Sequence, residues 1–304
     1  MKAGSLGLIP GKPNRLSSHR RIPAHKRAAL SLPSSAHDND RWDPMNPVDY
    51  AELLEHGFVD NPMGTHTYRS IALGELRKLA AAVEPFAPYQ EVRRLVLDEN
   101  VLSKATQASR EKTLRILREF YALRPEVPVY SALRFLWDHD VREQPLLALL
   151  CACARDPVLR ESASVVLPWP VATSLPKNVM EDALRSAYPG RYSPDVIRRM
   201  TRNLLSSWTQ SGHLSGHSVK IRCRALSGPA STVYALFLGY LSGGQGNALF
   251  DTLWVKLLDA PLDQVYRNAF EASKLGWIDY GSAGGVTDIG FNGVLAELVK
   301  QRTP

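Results

Sequence analysis

The sequence predicts a mainly α protein with two helical domains. The C-terminal domain is read as winged helix-turn-helix-like units carrying short β-hairpins. Three observations point there. Apolar residues recur at helical spacing through most of the chain after residue 49. Pro168, Pro170 and Pro176 then interrupt that pattern. Beyond them, the order helix, glycine, alternating strand occurs twice. The 304 residues suffice for one large domain or two ordinary ones, and the expected division is 1–48, 49–170 and 171–304.

Residues 1–48 read as a flexible basic arm. Lys12, Arg15, Arg20, Arg21, Lys26 and Arg27 are spread among Gly, Pro and Ser, a composition that buries too little apolar surface to offset its ordering entropy. The first helical stripe is Leu73, Leu76, Leu79 and Ala80, closing near Pro85. A second helix is expected over Tyr89 to Leu102, with Val92, Leu95 and Leu97 apolar. A third runs from about Lys104 to Leu123, its core side being Leu114, Leu117, Phe120 and Tyr121. Shorter helices follow at Tyr130 to Trp137, Pro145 to Ala154 and Val158 to Val166. The apolar run Leu146 to Ala154 is too short to cross a bilayer, which takes about 20 residues.

After the prolines, Asn178 to Ala187 forms a helix ended by Tyr188-Pro189-Gly190. Ser193-Pro194-Asp195 is a strong helix start: a cap, proline at the first helical position and an acid in the first turn. Ile197, Met200, Leu204 and Trp208 give the buried stripe of that helix, and Ser211-Gly212 its end. Lys220-Ile221-Arg222-Cys223-Arg224 alternates basic with apolar, as a half-buried strand does; its exposed face is expected to carry Lys220, Arg222 and Arg224 together. A helix over Val233 to Tyr240, another over Asn247 to Leu258 and a third over Leu262 to Leu275 lead to Gly276. Trp277 to Tyr280 and Val286 to Phe291 read as a hairpin.

The formal charge of +7 becomes informative when divided along the chain. Residues 1–50 carry net +4, residues 51–170 net −1 and residues 171–304 net +4. Within the last, Arg185 to Arg224 holds eight basic side chains against one acid, Asp195. Three cysteines, Cys151, Cys153 and Cys223, make no disulfide framework and suit a reducing, cytoplasmic setting. No secretory signal and no membrane span are read.

Several motifs carry less than their letters suggest. Leu241-Ser-Gly-Gly-Gln245 matches the signature of transport ATPases, but no G-x-x-x-x-G-K-[ST] phosphate loop accompanies it; a helix ended by glycine explains it. His139-Asp140 lacks further metal ligands, and His213 and His217 flank glycines in a loop. No G-x-S-x-G elbow occurs. No catalytic residue, metal or cofactor is therefore expected.

The basic window points to double-stranded DNA. Arg198, Arg199 and Arg202 suit a helix laid in the major groove, while His217, Lys220, Arg222 and Arg224 suit a wing on the phosphates. Lys104, Arg110, Lys112 and Arg115 form a candidate second surface. The bland reading is a solvated helix face beside an edge strand guarded by lysine.

Val92 to Leu123, with Leu97-Asp98-Glu99-Asn100-Val101-Leu102-Ser103-Lys104 leading into Thr106 and Arg110, resembles the BrxA family of BREX bacteriophage-exclusion systems. The apolar helix with Arg155-Asp156, the stretch Arg198 to Leu214 and the helix-glycine-hairpin at Ala269 to Phe291 continue the likeness over roughly residues 70–291. The resemblance implies a mostly helical, non-enzymatic DNA-binding component of a multi-gene phage-defence system, with other proteins of that system as partners. An assembly or scaffold protein, whose basic surface docks a protein or RNA, is the alternative.

Overall fold

Amphipathic helices build the first half because their apolar positions recur every three or four residues. The computed structural model describes residues 50–60, 65–283 and 286–300, all within one unit that spans residues 38–304. The arm expected over 1–48 lies outside the described residues. Helix α1 (Tyr50–His56) and a 3-10 turn (Thr65–Thr67) precede α2 (Leu73–Ala82), α3 (Tyr89–Leu97) and α4 (Gln107–Tyr121). Then follow α5 (Pro128–Trp137), α6 (Gln144–Arg155) and α7 (Pro157–Val166).

The expected stripes are the buried ones: Leu73, Leu76, Leu79 and Ala80 in α2, and Leu114, Leu117, Phe120 and Tyr121 in α4. Thr106 caps α4 in a reciprocal box with Ser109. One expected boundary is corrected. The helix from Tyr89 stops at Leu97 and not at Leu102, because Asn100 and Ser103 take positive φ (55° and 54°) and Asn100 bonds both backbone groups of Lys104.

Leu146 to Ala154 of α6 is buried on every side. Beside α5 and α6 lies α10 (Pro229–Leu241), almost wholly buried as well. Its N-terminus is held by Glu143, whose carboxylate accepts from Ser231 N (2.7 Å) and Ser231 Oγ (2.6 Å), a negative charge on the positive end of a helix dipole. Its C-terminus is the Leu241-Ser-Gly-Gly-Gln245 segment. Gly243 has φ 90°, Gly243 N donates to Tyr240 O and Gly244 N to Gly239 O. That pair of hydrogen bonds is the Schellman ending, so these letters terminate a helix. Among the described residues, no helix is long and apolar enough to cross a membrane.

Among the described residues, two small antiparallel sheets accompany the helices of this mainly helical fold. β1 (Ser174–Leu175), α8 (Lys177–Ala187), α9 (Pro194–Gln210), β2 (Leu214–Ser215) and β3 (Lys220–Arg222) follow α7, with strand order β1-β3-β2. Later come α11 (Leu253–Lys256), α12 (Leu262–Lys274), the hairpin β4 (Ile278–Ala283) with β5 (Val286–Phe291), and α13 (Gly293–Lys300). The single helix expected over Asn247 to Leu258 is a 3-10 segment (Gly246–Asp251) and then α11, because Thr252 is extended (φ −64°, ψ 157°) and caps α11 through Val255 N. Both α9 and α12 end before a glycine in the left-handed region, Gly212 (φ 87°) and Gly276 (φ 74°), and a strand follows each.

Candidate nucleic-acid interface

Ser193 sets the start of α9: its side chain accepts from Val196 N, and Pro194 occupies the first helical position. Ile197, Met200, Leu204, Leu205 and Trp208 are buried, which turns the opposite face outward. That face exposes Arg198, Arg199 and Arg202. Arg198 is held by Asp195 one turn earlier. Arg199 and Arg202 have no carboxylate partner among the described residues, so their donors are available to an anion.

The β-strand reading is corrected at its centre. Cross-strand partners share a face, and Arg222 stands opposite buried Leu214 while Lys220 stands opposite buried Leu175. The expected alternation therefore fails at its centre: Arg222 points inward and is 1% exposed, while Lys220 and Ile221 are both half-buried. Its guanidinium forks onto Asp259 (2.7 and 2.8 Å) and donates to Val166 O (2.8 Å). It is a structural residue and offers nothing to a phosphate. Arg224 is exposed but leans on Asp259 O (3.0 Å).

Lys220 is half-buried and donates from Nζ to Gly216 O (2.6 Å). Burial lowers its pKa, and the neighbouring charge of Lys177 adds to the shift. Lys177, exposed at the first position of α8, is a cation the sequence reading missed. No local pattern joins it to Lys220; the pairing of β1 with β3 does. His217 is exposed in the turn between β2 and β3.

Gly216 closes that turn with φ 87°, and a Cβ there would collide with Val219 O. Gly216→Ala is expected to cost about 1–3 kcal/mol, or a few degrees in melting temperature. An unchanged melting temperature would show that the turn accepts a side chain.

The proposed second surface shrinks. Lys104 is bound to Glu75 (3.0 Å) and Arg110 donates to Leu97 O (2.7 Å); both serve the junction of α2, α3 and α4, against the expectation that they face a ligand. Lys112 and Arg115 remain exposed, joined by Arg118, whose guanidinium sits 5.9 Å from the centre of the Tyr89 ring.

A different constellation has the donor pattern of a hydrolase. His66 Nδ1 donates to Asp156 Oδ2 (2.7 Å), and its Nε2 meets Ser207 Oγ (2.8 Å). All three are buried, at 0, 2 and 0% exposure, and Ser207 Oγ also accepts from Ile71 N (3.1 Å). Asp156 meanwhile caps α7 through Val158 N and Leu159 N. The trio ties residues 65–71 to α7 and α9 and offers no route to a substrate.

No curated protein matches the chain. The BrxA family model matches residues 65–169, the stretch from the 3-10 turn through α7, whereas α9 and the β2–β3 turn lie beyond it. The likeness expected over roughly residues 70–291 is thus matched over the helical body, about a third of the chain, and there the chain is similar to the BrxA family.

Proposed function

We propose that this chain is a non-catalytic, double-stranded-DNA-binding component of a BREX phage-defence system. The defence role rests on the BrxA match over residues 65–169. The DNA role rests on one observation: a Ser-capped helix whose exposed face presents Arg199 and Arg202 with no carboxylate partner among the described residues. Cations so placed displace the counterions of a phosphate backbone.

The surroundings agree with that reading. Helix α7, β1, α8, α9, β2, a glycine turn and β3 follow the order of a winged helix, with the first strand paired to the last. In such a unit the second helix of the turn enters the major groove and the wing meets the backbone. Lys177, Lys220, His217 and Arg224 would serve the wing. The closed Ser207-His66-Asp156 trio supports a binding role over a hydrolytic one.

The test is binding of the full chain to a labelled duplex across a salt series. Arg199→Ala/Arg202→Ala should reduce the slope of log K against log salt by about 2 and leave the melting temperature unchanged. Identical slopes for parent and variant would overturn the assignment. Single-stranded DNA and RNA of the same sequence, used as competitors, separate duplex binding from the alternatives.

A further inference from the structure

The 3-10 turn joins the exposed face of α9 to a second row of cations. Thr65 donates to Glu119 of α4 (3.2 Å), and Tyr68 donates to the same carboxylate. On the other side, Asn203 of α9 donates to His66 O (2.8 Å). Glu119, Tyr68 and Asn203 are half-buried, so the outer faces of α4 and α9 meet across them in one surface.

On α4 that surface carries Lys112, Arg115 and Arg118, all exposed. Their spacing of three keeps them on the outer face, in a row about 9 Å long at 1.5 Å per residue. None has a carboxylate partner among the described residues. The two acids of the helix are turned elsewhere: Glu111 accepts from Gln107 (3.0 Å), and Glu119 is held by the 3-10 turn. Burial and Glu119 push the pKa of the Tyr68 hydroxyl up, and the charge of Arg115 acts against them, which places Arg115 beside the turn. Arg199 stands one helical turn before Asn203. The cations of both helices therefore border residues 65–68.

The character of the surface selects its partner. Among the described residues, no exposed large apolar side chain belongs to α4 or α9, so the apolar centre of a protein interface is missing. A polar, positive surface is what a nucleic-acid backbone meets. Single strands are held by stacking their bases on open aromatic rings. Here Tyr68 is tied to Glu119, and the Tyr89 ring beside α4 already carries the guanidinium groups of Arg118 and Arg124, 5.9 and 5.7 Å from its centre.

We infer that α4 and α9 share one DNA duplex: α9 enters the groove with Arg199 and Arg202, while Lys112, Arg115 and Arg118 take the phosphate backbone alongside. The inference rests on α9 being the duplex-facing helix of the proposed function. It adds a second row that lies outside the winged-helix order and inside the stretch similar to BrxA, residues 65–169. That helical body is then a DNA-contacting part and not only a support for the wing.

The test is binding of the full chain to a labelled duplex of about 25 base pairs, or about two and a half turns, across a salt series. Lys112→Ala/Arg115→Ala should reduce the slope of log K against log salt by about 2, with an unchanged melting temperature because both side chains are exposed. Lys112→Gln/Arg115→Gln, which keeps the side-chain length, should do the same. Combined with Arg199→Ala/Arg202→Ala, the reduction should reach about 4. With duplex in excess, sedimentation should give one duplex per chain. An α4 variant with the parental slope, beside an α9 variant that lowers it, would overturn the second row and leave the reading of α9 intact. The reverse result would overturn the reading of α9, and the shared duplex with it. Two duplexes on one chain would show separate sites, and equal competition by single-stranded DNA would show a strand-binding surface; either outcome overturns the inference.

Discussion

Arg222→Ala is expected to lower stability by about 3–5 kcal/mol, the usual cost of removing one partner from a buried ion pair. The loss is large because the guanidinium satisfies several groups at once. Without it the Asp259 carboxylate, 9% exposed at its side chain, keeps only Ala225 N (3.4 Å) and the exposed Arg224. The carbonyl oxygen of Val166, at the end of α7, loses its side-chain donor too. At about 2–4 °C per kcal/mol for a chain of this size, the melting temperature should fall by roughly 6–20 °C.

Arg224→Ala provides the contrast. Arg224 is 59% exposed at its side chain, so its removal should change stability by less than about 0.5 kcal/mol while weakening DNA binding at low salt. A double-mutant cycle of Arg222→Ala with Asp259→Asn isolates the pair, and a coupling near zero would deny that Asp259 is what Arg222 holds. If Arg222→Ala instead left the melting temperature intact and reduced the salt slope of DNA binding, the inward placement of Arg222 would be wrong.

This residue also shows where sequence reading reaches its end. Period-two alternation from Lys220 to Arg224 established a strand with two unlike faces. It could not say which face turns inward, and the usual rule would bury Ile221 and expose the arginine. The carboxylate that makes a buried arginine tolerable comes 37 residues later, in a loop with no motif of its own. Lys104 and Arg110 were misread for the same reason: Glu75 and Leu97 O, their partners, are neighbours only after α2, α3 and α4 pack. What was legible was local. The stripes of α2, α4 and α9 follow from spacing alone, and Ser193-Pro194-Asp195 carries its own start signal. Asn247 to Leu258 failed because one extended residue, Thr252, divides the run. Helix α13 went unread, although Leu295 and Leu298 are buried. The exposed face of α12 was hidden as well, since Leu262, Tyr266 and Phe270 have the spacing of a core stripe and only the packing of Val265, Ala269 and Ala272 reveals that they are left outside.

Between pH 6.5 and 4 the protein is expected to lose about 3 kcal/mol of stability through His213. The imidazole is fully buried, edge-on to Trp208 with ring centres 4.9 Å apart. Its Nε2 donates to Leu257 O (3.0 Å), and its Nδ1 lies 2.9 Å from Ser211 Oγ. Burial pushes its pKa down to about 4; Asp259 and Leu257 O pull the other way, and Arg222 opposes protonation. An unfolded histidine titrates near 6.5. As pH falls below that value, the unfolded chain accepts a proton that the folded chain refuses, and the balance shifts toward unfolding until pH 4. Each unit of difference is worth about 1.4 kcal/mol, which gives the size of the loss.

Asp156 acts in a separate window. Burial pushes its carboxyl up, but His66 and the backbone N–H groups of Leu159 and Val158 outweigh that and hold it below the ordinary value. Its contribution is therefore present above about pH 4 and lost only below it. His213→Gln tests the division, because glutamine retains a donor for Leu257 O and has no proton to gain. Melting temperatures measured in steps from pH 7 to pH 4 should fall less steeply for the variant than for the parent. The same slope in both would place the acid sensitivity on another group.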